Sequence, residues 1–467
     1  MTFAIKNRAN TSVFIWAIGV FCLNFQAGAL AAIPIQQWTQ PSGAQVYLVE
    51  SPAIAMVDVQ IEFDAGARRD PAAQAGLASA MTGMLEKGVR ANDARTAERI
   101  CGGLCVDEPA LDENALSEAW ADLGAQFGAG ASADRMFFSL RSLTEPDLLN
   151  KAVALAAREL AEPAFPDAVW QRERQRLQAS IKESYTRPAS IVGRAYAQAV
   201  YGAHPYGQQV TEETLSRIGV DDMRKLHAAS LVPCRARISM VGAVTRAQAD
   251  AIAERLLSRL PQVPCASLPP MPQVPEVAPL AQAEEKRIPF DSAQAHVLIG
   301  QPGYKRADPD YFALTVGNYI LGGGGFVSRL TREVREKRGL TYGVYSYFSP
   351  GLHAGAFTVG LQTRPDQAPQ AVALVRDVLK DFVANGPTEA ELKDAKDNLI
   401  GGFALRIDSN RKLLDNISGI AWNRLPLDYL DTWTQQVDKV TVADIKAAFA
   451  RKLQPEKMVT VILGAAP

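Results

Sequence analysis

The sequence predicts an α+β fold of two homologous domains, each a mostly antiparallel sheet with helices packed on one face. Two observations support this prediction: strand patterns that alternate with pairs of helix patterns, and an internal duplication of the whole arrangement. Strands interleaved with paired helices are typical of a sheet covered by helices. The chain of 467 residues is long enough for two or three domains of ~100–200 residues each.

Strand and helix patterns follow the same coarse order in both copies. In the first copy, apolar residues at every second position of residues 57–63 indicate a half-buried strand. The same reasoning places the other elements. The predicted strands lie at residues 136–143, 236–241 and 357–361, and the predicted helices at residues 145–160, 166–185, 367–382 and 389–403.

An internal duplication accounts for this repeated order. Residues 66–71 (GARRDP) are echoed by residues 303–309 (GYKRADP). Further residues return at one constant spacing: Val220, Asp222, Leu231, Pro233 and Gly242 recur as Val442, Asp444, Leu453, Pro455 and Gly464. Such self-similarity is typical of a repeated structural unit. We therefore expect one domain at residues 32–260 and a second at residues 287–467.

The segment between the copies, residues 261–286, is predicted to be a linker. Prolines recur through residues 261–279, and apolar periodicity is almost absent. This composition is typical of an extended, semi-rigid connection. Each copy can then form its own core.

Residues 1–31 have the features of an export signal. Lys6 and Arg8 precede an apolar run at residues 13–25, and small residues follow as far as Ala31. A retained membrane anchor is disfavoured because the run is shorter than the ~20 residues that a span needs. We expect cleavage of the signal and a mature protein in a bacterial periplasm.

Cysteine usage agrees with an oxidising compartment. Removal of the signal leaves Cys101, Cys105, Cys234 and Cys265, an even set that suits disulfides. The simplest pairing joins Cys101 to Cys105 and Cys234 to Cys265, with structural thiols as the alternative. The net charge of −1 gives no electrostatic reason to expect nucleic acid or an anionic membrane as a partner.

The most informative segment is residues 76–88, GLASAMTGMLEKG. It resembles the frame around the inverted zinc motif H-x-x-E-H in the insulinase, pitrilysin and mitochondrial processing peptidase family. Ser79 stands in place of the first histidine, Thr82 in place of the general-base glutamate, and Gly83 in place of the second histidine. The family frame is present without its zinc ligands.

The resemblance also locates the family's third zinc ligand, a glutamate seven residues after an earlier glutamate that corresponds to Glu173. In this chain that position is Ser180. A catalytic zinc needs three protein ligands and an open position for water. Because Ser79, Gly83 and Ser180 replace all three ligands, we expect no metal in this chain.

A helix is predicted in the second copy between a glycine run and Gly339. Val327, Leu330 and Val334 are spaced as a buried helix stripe. Gly339 is placed to end the helix in a left-handed turn. This segment resembles the family's glycine run, helix and arginine/tyrosine pair.

Arg335 in the last helical turn and Tyr342, which is expected to open a strand running to Tyr347, can reach toward a common point. The resemblance implies that both contact substrate opposite the zinc ion. Two such donors suit the carbonyl oxygen of a peptide bond under attack. The alternative is an Arg335 that pairs with Glu333 or Glu336 and a Tyr342 that is an ordinary strand aromatic.

The glycine run is predicted to face substrate. It lacks the Gly-Lys-Ser/Thr ending of a phosphate loop, so close backbone approach or a substrate-facing loop is the better interpretation of Gly322, Gly323, Gly324 and Gly325. Residues 204–207 (HPYG) resemble a mainly structural segment of the family, and three further histidines are isolated in the sequence: His227, His296 and His353. We interpret these three and His204 as packing or surface residues.

The resemblance implies a zinc-free subunit of a periplasmic heterodimeric metallopeptidase that hydrolyses peptides. A homologous partner would carry H-x-x-E-H and the zinc ion, and each two-domain subunit would form half of a clamshell. This chain would supply Arg335 and Tyr342 in trans and would not be catalytic alone.

Two other classes of function remain open at this stage. A peptide-binding or chaperone-like module would keep the cavity without needing Arg335 and Tyr342. A structural subunit, like the core proteins of respiratory complexes that share the fold, would assemble with membrane proteins, which the export signal disfavours.

Overall fold

A computed structural model describes residues 33–92 and 108–464. The predicted export signal and the cysteines Cys101 and Cys105 lie outside the described residues. None of the described helices is long and apolar enough to cross a lipid bilayer.

The first half is built on a six-stranded sheet in the order β1-β2-β8-β3-β7-β6. All neighbouring pairs are antiparallel except β2 and β8, which run parallel. The strands are β1 (Gln36–Thr39), β2 (Gln45–Glu50), β3 (Met56–Phe63), β6 (Gln126–Ala131), β7 (Met136–Leu143) and β8 (Arg237–Gly242), and a separate ladder pairs β4 (Gly88–Val89) with β5 (Leu111–Asp112). The predicted mostly antiparallel sheet is confirmed.

The helices of the first half bury their apolar faces on one face of this sheet, around Ile61, Phe63 and Phe138. They are α1 (Leu77–Leu85), α2 (Glu113–Asp122), α3 (Pro146–Ala161), α4 (Asp167–Ser184), α5 (Pro188–Tyr201), α6 (Glu212–Ser216), α7 (Val220–Ser230) and α8 (Arg246–Leu257). Their apolar side chains and those of the sheet form one continuous core. Helix α5 is the exception, because it packs on the sheet of the second half.

The second half repeats the plan with a five-stranded sheet in the order β11-β12-β10-β13-β9, in which only β13 and β9 are parallel. Its strands are β9 (Glu284–Ile288), β10 (Ala295–Pro302), β11 (Val344–Phe348), β12 (Ala356–Thr363) and β13 (Val459–Leu463). Its helices are α9 (Tyr311–Asn318), α10 (Ala368–Asn385), α11 (Glu389–Gly401), α12 (Asn410–Asn423), α13 (Tyr429–Lys439) and α14 (Val442–Lys452). Both halves therefore consist of a sheet that is antiparallel except for one parallel pair of strands, together with packed helices.

The two halves exchange a helix. Helix α12 of the second half packs on β3 and β8 of the first sheet, and α5 of the first half packs on β10 and β13 of the second sheet. The Tyr196 hydroxyl donates to the Phe357 carbonyl at 2.8 Å, and the Gln60 amide donates to the Ser418 hydroxyl at 3.0 Å. Residues 33–92 and 108–464 consequently form one compact body.

This exchange corrects one prediction, since β3 is buried on both faces rather than one. Its alternating polar residues lie beneath α12, where they need partners because an unpaired buried polar group is costly. Asp58 accepts two hydrogen bonds from Arg141, at 2.6 and 3.1 Å. Glu62 forms an ion pair with Arg135.

The segment between the halves is fixed to the first half. The predicted disulfide between Cys234 and Cys265 is confirmed. Arg235 donates to the Pro269 carbonyl at 2.6 Å, and Arg69 donates to the Pro272 carbonyl at 2.8 Å. The linker thus lies along the first half as far as Pro275, whereas Glu276 pairs with Lys305 of the second half and the last linker residues join the second sheet in β9.

Candidate active-site elements

Helix α1 carries the degenerate zinc motif. Its N-terminus is held by Asp70, whose carboxylate accepts hydrogen bonds from the backbone N–H groups of Gly76 at 2.9 Å and Ala78 at 3.0 Å. These bonds satisfy donors that a helix leaves free in its first turn. Burial raises the pKa of Asp70 to about 6, because its effect outweighs the lowering of that pKa by the same hydrogen bonds. The first half therefore keeps the scaffold of the motif.

The side chains at the ligand positions do not suit zinc. Ser79, Gly83 and Ser180 are exposed and offer neither an imidazole nor a carboxylate. Thr82 is 1% exposed, and its hydroxyl donates within its own helix to the carbonyls of Ala78 at 3.0 Å and Ser79 at 3.1 Å. Across residues 33–92 and 108–464, no group of three or more His, Cys, Asp and Glu side chains is arranged to hold a metal ion.

Beside the end of α1 lies an acid-lined cavity of about 530 Å³, bordered by Glu86, Glu113 and Glu159. Glu86 accepts a hydrogen bond from the backbone N–H of Ala129 on the edge strand β6 at 3.1 Å. Burial raises the pKa of Glu159 to about 8, against a hydrogen bond of 2.8 Å from the Trp120 indole. Glu159 is therefore mainly protonated near neutral pH.

In the second half, the glycine run follows α9 as a wide helical turn at Tyr319–Gly323. A Cβ atom on Gly322 would lie 2.6 Å from the backbone nitrogen of Ser346, so glycine is required where the run crosses β11. Gly322 is buried, whereas Gly323 and Gly325 are exposed and Gly324 is half-buried. The interpretation of the run as a substrate-facing loop is limited to these last three glycines.

The following helical segment differs in part from the prediction. Leu330 and Val334 are buried as expected, but Val327 is 70% exposed. The predicted buried stripe is wrong at Val327, because the chain forms a separate short turn at Gly325–Val327 before the helix begins. Val327 lies instead on an exposed apolar rim with Phe326.

Gly339 ends this helix as predicted, with a positive φ of 62°. Its N–H donates to the Arg335 carbonyl at 2.9 Å, and the N–H of Leu340 donates to the Val334 carbonyl at 3.0 Å. The strand that follows begins at Val344 and ends at Phe348. The expectation that Tyr342 opens this strand is wrong, because Tyr342 lies in the turn before it.

Arg335 and Tyr342 are close together at this turn. The Arg335 guanidinium lies 5.1 Å from the ring centre of Tyr342 and 4.7 Å from that of Phe326. Tyr342 is 86% exposed. A cation stacked between two aromatic rings is stabilised by their electron-rich faces. The arrangement presents a guanidinium and a phenol side by side on the surface.

Three neighbouring basic residues are engaged in ion pairs, whereas Arg335 and Arg338 form none within the described residues. Arg329 pairs with Glu391 at 2.6 Å, and Arg332 pairs with the same carboxylate at 3.0 Å. Glu333 pairs with Lys337 at 2.8 Å. Among the described residues, no carboxylate lies within 4 Å of Arg335, so the predicted alternative of pairing with Glu333 or Glu336 is not observed.

A cleft of about 380 Å³ begins at Tyr342. It runs along the exposed tyrosines of β11, Tyr345 and Tyr347, whose rings stack with centres 6.0 Å apart, toward α5. The sequence contained a signal for this surface, since tyrosines at alternate strand positions share one face.

Two of the histidines are not isolated. The ring centres of His204 and His353 lie 5.3 Å apart. The ring centre of Tyr206 lies 4.8 Å from that of His204 and 5.7 Å from that of His353. The prediction that His353 is isolated is wrong, because residues far apart in the sequence meet where the halves join. Their role in packing is unchanged: His204 contacts the Pro275 carbonyl at 2.9 Å.

Comparison with known proteins decides the family. The family model described as "Peptidase M16 inactive domain" matches residues 217–399. The crystal structure of a peptidase M16 inactive domain from Pseudomonas fluorescens is 34% identical, with a TM-score of 0.83, and covers 93% of this chain and 98% of that chain. The chain belongs to the M16 peptidase family. The resemblance inferred from the motif frame is confirmed.

Two curated proteins and a further solved structure are similar to this chain over most of its length. An uncharacterized zinc protease, ML0855 of Mycobacterium leprae, is 26% identical over 430 residues, 91% of either protein. The non-peptidase homolog YmxG of Helicobacter pylori is 25% identical over 434 residues, 92% of either protein. The periplasmic protease PqqL of Escherichia coli shares the fold, with 17% identity, a TM-score of 0.75, and coverage of 100% of this chain and 49% of PqqL.

Proposed function

We propose that this M16 protein is the zinc-free subunit of a periplasmic heterodimeric metallopeptidase, and that it lends Arg335 and Tyr342 to the active site of a homologous partner carrying H-x-x-E-H. The observation that supports this most directly is the exposed Arg335–Tyr342 pair. A stacked cation and phenol with no partner inside the described chain are suited to a ligand brought by another molecule. The peptide substrate and the zinc-bearing partner are parts of the proposal.

The chemistry of the pair fits peptide hydrolysis. Attack on an amide places negative charge on the carbonyl oxygen, and each preoriented donor to that oxygen contributes about 3–4 kcal/mol. The guanidinium and the phenol both donate, and stacking limits the conformations of both side chains. The metal ion and its water belong to the partner in this proposal, and the present chain stabilises charge and orients substrate.

An extended peptide adds to a sheet edge in this proposal. The edge of β11 is not the favoured place, because Asn318 donates to the Ser346 carbonyl at 3.1 Å and Thr331 donates to the Val344 carbonyl at 3.4 Å. We therefore place the peptide on a sheet edge of the partner, with its side chains directed at the Tyr342 cleft and at Gly323–Gly325.

The periplasmic location has two supports. A disulfide at Cys234–Cys265 suits an oxidising compartment, and the features of residues 1–31 suit export.

The fold of PqqL, named as a periplasmic protease, contains a region equivalent to this whole chain within about half its length. This favours the idea that a second half of similar fold completes the assembly.

Reconstitution tests the proposal. The purified chain is expected to bind no stoichiometric zinc and to cleave no peptide, and addition of the zinc-bearing homologue is expected to give a stable complex with zinc-dependent activity. Full activity without a partner would refute the proposal. A partner that is equally active alone would reduce this chain to the peptide-binding or structural role considered above.

A further inference from the structure

A second cavity, of about 550 Å³, lies between the first sheet and the end of α12. Its walls are β2 and β8, the C-terminal end of α12 and the segment that joins the halves. The lining includes Tyr47, Asp64, Arg237 and Arg424, with Gln37 and Gln45 also present. This cavity is separate from the Arg335–Tyr342 pair and from the degenerate motif.

Arg237 is a cation without an ion pair or a hydrogen-bond acceptor in the part of the chain that the structure describes. It is half-buried on β8, and its guanidinium lies over the Trp422 ring at 4.9 Å. Burial lowers the pKa of Arg237, and the nearby charge of Arg424 lowers it further. A guanidinium placed this way is left without the carboxylate that usually accompanies it.

Arg424 faces the same cavity and is also without an ion pair among residues 33–92 and 108–464. It ends α12 with a φ of 52°, in the left-handed region that favours glycine. An L-residue there costs about 1–2 kcal/mol. A helix C-terminus attracts a cation, but that attraction does not require an arginine at the strained position itself.

The acids nearest the two arginines are already engaged. Asp64 is held by Arg68 and by Arg69, the latter at 2.8 and 2.9 Å. Glu62 pairs with Arg135 and accepts from the Gln60 amide at 2.6 Å. Asp64 also lines the cavity, but its carboxylate is shared with Arg68 and Arg69, and neither it nor Glu62 forms an ion pair with Arg237 or Arg424 in the described residues.

We propose that this cavity binds a small oxyanion, a carboxylate or a phosphate group, between Arg237 and Arg424. Guanidinium groups present pairs of N–H donors that match carboxylate and phosphate oxygens. Tyr47 contributes a hydroxyl, which accepts from the Gln37 amide at 3.1 Å and keeps its own proton to donate. The proposal does not depend on the peptidase role.

The decisive variant is Arg424→Gly, because glycine fits the left-handed position and removes the cation. Its melting temperature is expected to equal or exceed that of the unmodified chain. Arg237→Met removes the second cation while keeping an apolar chain against Trp422. Arg411→Ala is the matched control, since Arg411 is an exposed arginine of the same helix that pairs with Asp415 at 3.6 Å.

The measurement is the melting temperature in sodium phosphate, or in an acetylated dipeptide with a free C-terminal carboxylate, against sodium chloride of equal ionic strength. Binding is expected to raise it by about 2–4 °C in the unmodified chain and in Arg411→Ala, and the rise is expected to be lost in Arg424→Gly and Arg237→Met. The dipeptide's C-terminal amide distinguishes a carboxylate ligand from a phosphate ligand. No rise with either probe, or an equal rise in Arg424→Gly, would overturn the proposal.

Discussion

The two halves of this chain carry different side chains at equivalent places. After its first helix, the first half continues with Glu86 beside an acid-lined cavity, whereas the second half continues with Gly322–Gly325 and then with the Arg335–Tyr342 pair. The equivalent edge strands β6 and β11 are each capped by a polar side chain: the N–H of Ala129 on β6 by Glu86, and the Ser346 carbonyl on β11 by Asn318. One scaffold therefore carries glutamates at one of these places and an arginine with a tyrosine at the other.

The comparison shows that a repeated fold does not fix the chemistry of its loops. The sheets and helices agree because both copies must bury the same kind of core. The loops that follow α1 and α9 face solvent and are free to differ. In the proposed assembly, substrate chemistry therefore belongs to the second half, and the first half provides structure.

The largest expected effect is on turnover. In the reconstituted complex, Arg335→Ala or Tyr342→Phe is expected to lower kcat about 100-fold, because each removes one donor to the developing oxyanion. The matched control in the first half is Ser79→Ala, whose side chain is exposed at a former ligand position and is expected to leave kcat unchanged. Steady-state kinetics on a chromogenic peptide measure all three. If all three variants had the same kcat, the assignment of substrate chemistry to the second half would be rejected.

The next effect concerns packing at the glycine run. Gly322→Ala is expected to destabilise the chain by about 3 kcal/mol, because the new Cβ atom meets the backbone nitrogen of Ser346 at 2.6 Å. Denaturant unfolding of the variant measures this difference. A change below about 1 kcal/mol would mean that α9 and β11 are not held at their observed distance.

A pH-dependent effect is expected in the first half. Because the pKa of Glu159 rises from its ordinary 4.5 to about 8 on folding, its contribution to stability is fully present below pH 4.5 and is lost as pH rises through 8. Glu159→Gln keeps an acceptor for Trp120 but cannot ionise. Melting temperatures between pH 5 and 9 should therefore fall less in this variant than in the unmodified chain; parallel curves would contradict the assignment.

The smallest effect is a gain of stability at the degenerate motif. Gly83 lies within α1, and a Cβ atom there would meet no other atom within 4 Å. Gly83→Ala is expected to stabilise the chain by about 0.5–1 kcal/mol through helix propensity and a less flexible unfolded chain. Denaturant unfolding of Gly83→Ala and Gly322→Ala under the same conditions compares the gain of stability in the first variant with the loss in the second. A loss of stability would show that this face of α1 is covered.

Much of the fold could be predicted from local patterns. The strand at residues 136–143 was predicted at its observed bounds, and the helices at residues 145–160 and 166–185 are each within two residues of the observed α3 and α4. Gly339 could be placed because only a short list of residues ends a helix with a positive φ. These signals lie within a few residues of each other in the sequence.

The candidate site was predicted in part. Arg335 and Tyr342 were identified by the resemblance, but their stacking with Phe326 and the exposure of Val327 depend on a turn that periodicity did not reveal. The contact of His204 with His353 and the convergence of Arg237 with Arg424 each join the two halves. No local pattern encodes such contacts.

The sequence by itself determined the duplication, the order of strands and helices, and the loss of zinc ligands at Ser79, Gly83 and Ser180. These follow from residue identity and from short periodicities. Only the tertiary structure decided that α5 and α12 are exchanged between the halves, which buries the polar face of β3 and places Arg237 beside Arg424. The physical reason is that a residue's burial and charge environment depend on the elements that pack against it, and here those elements come from the other half of the chain.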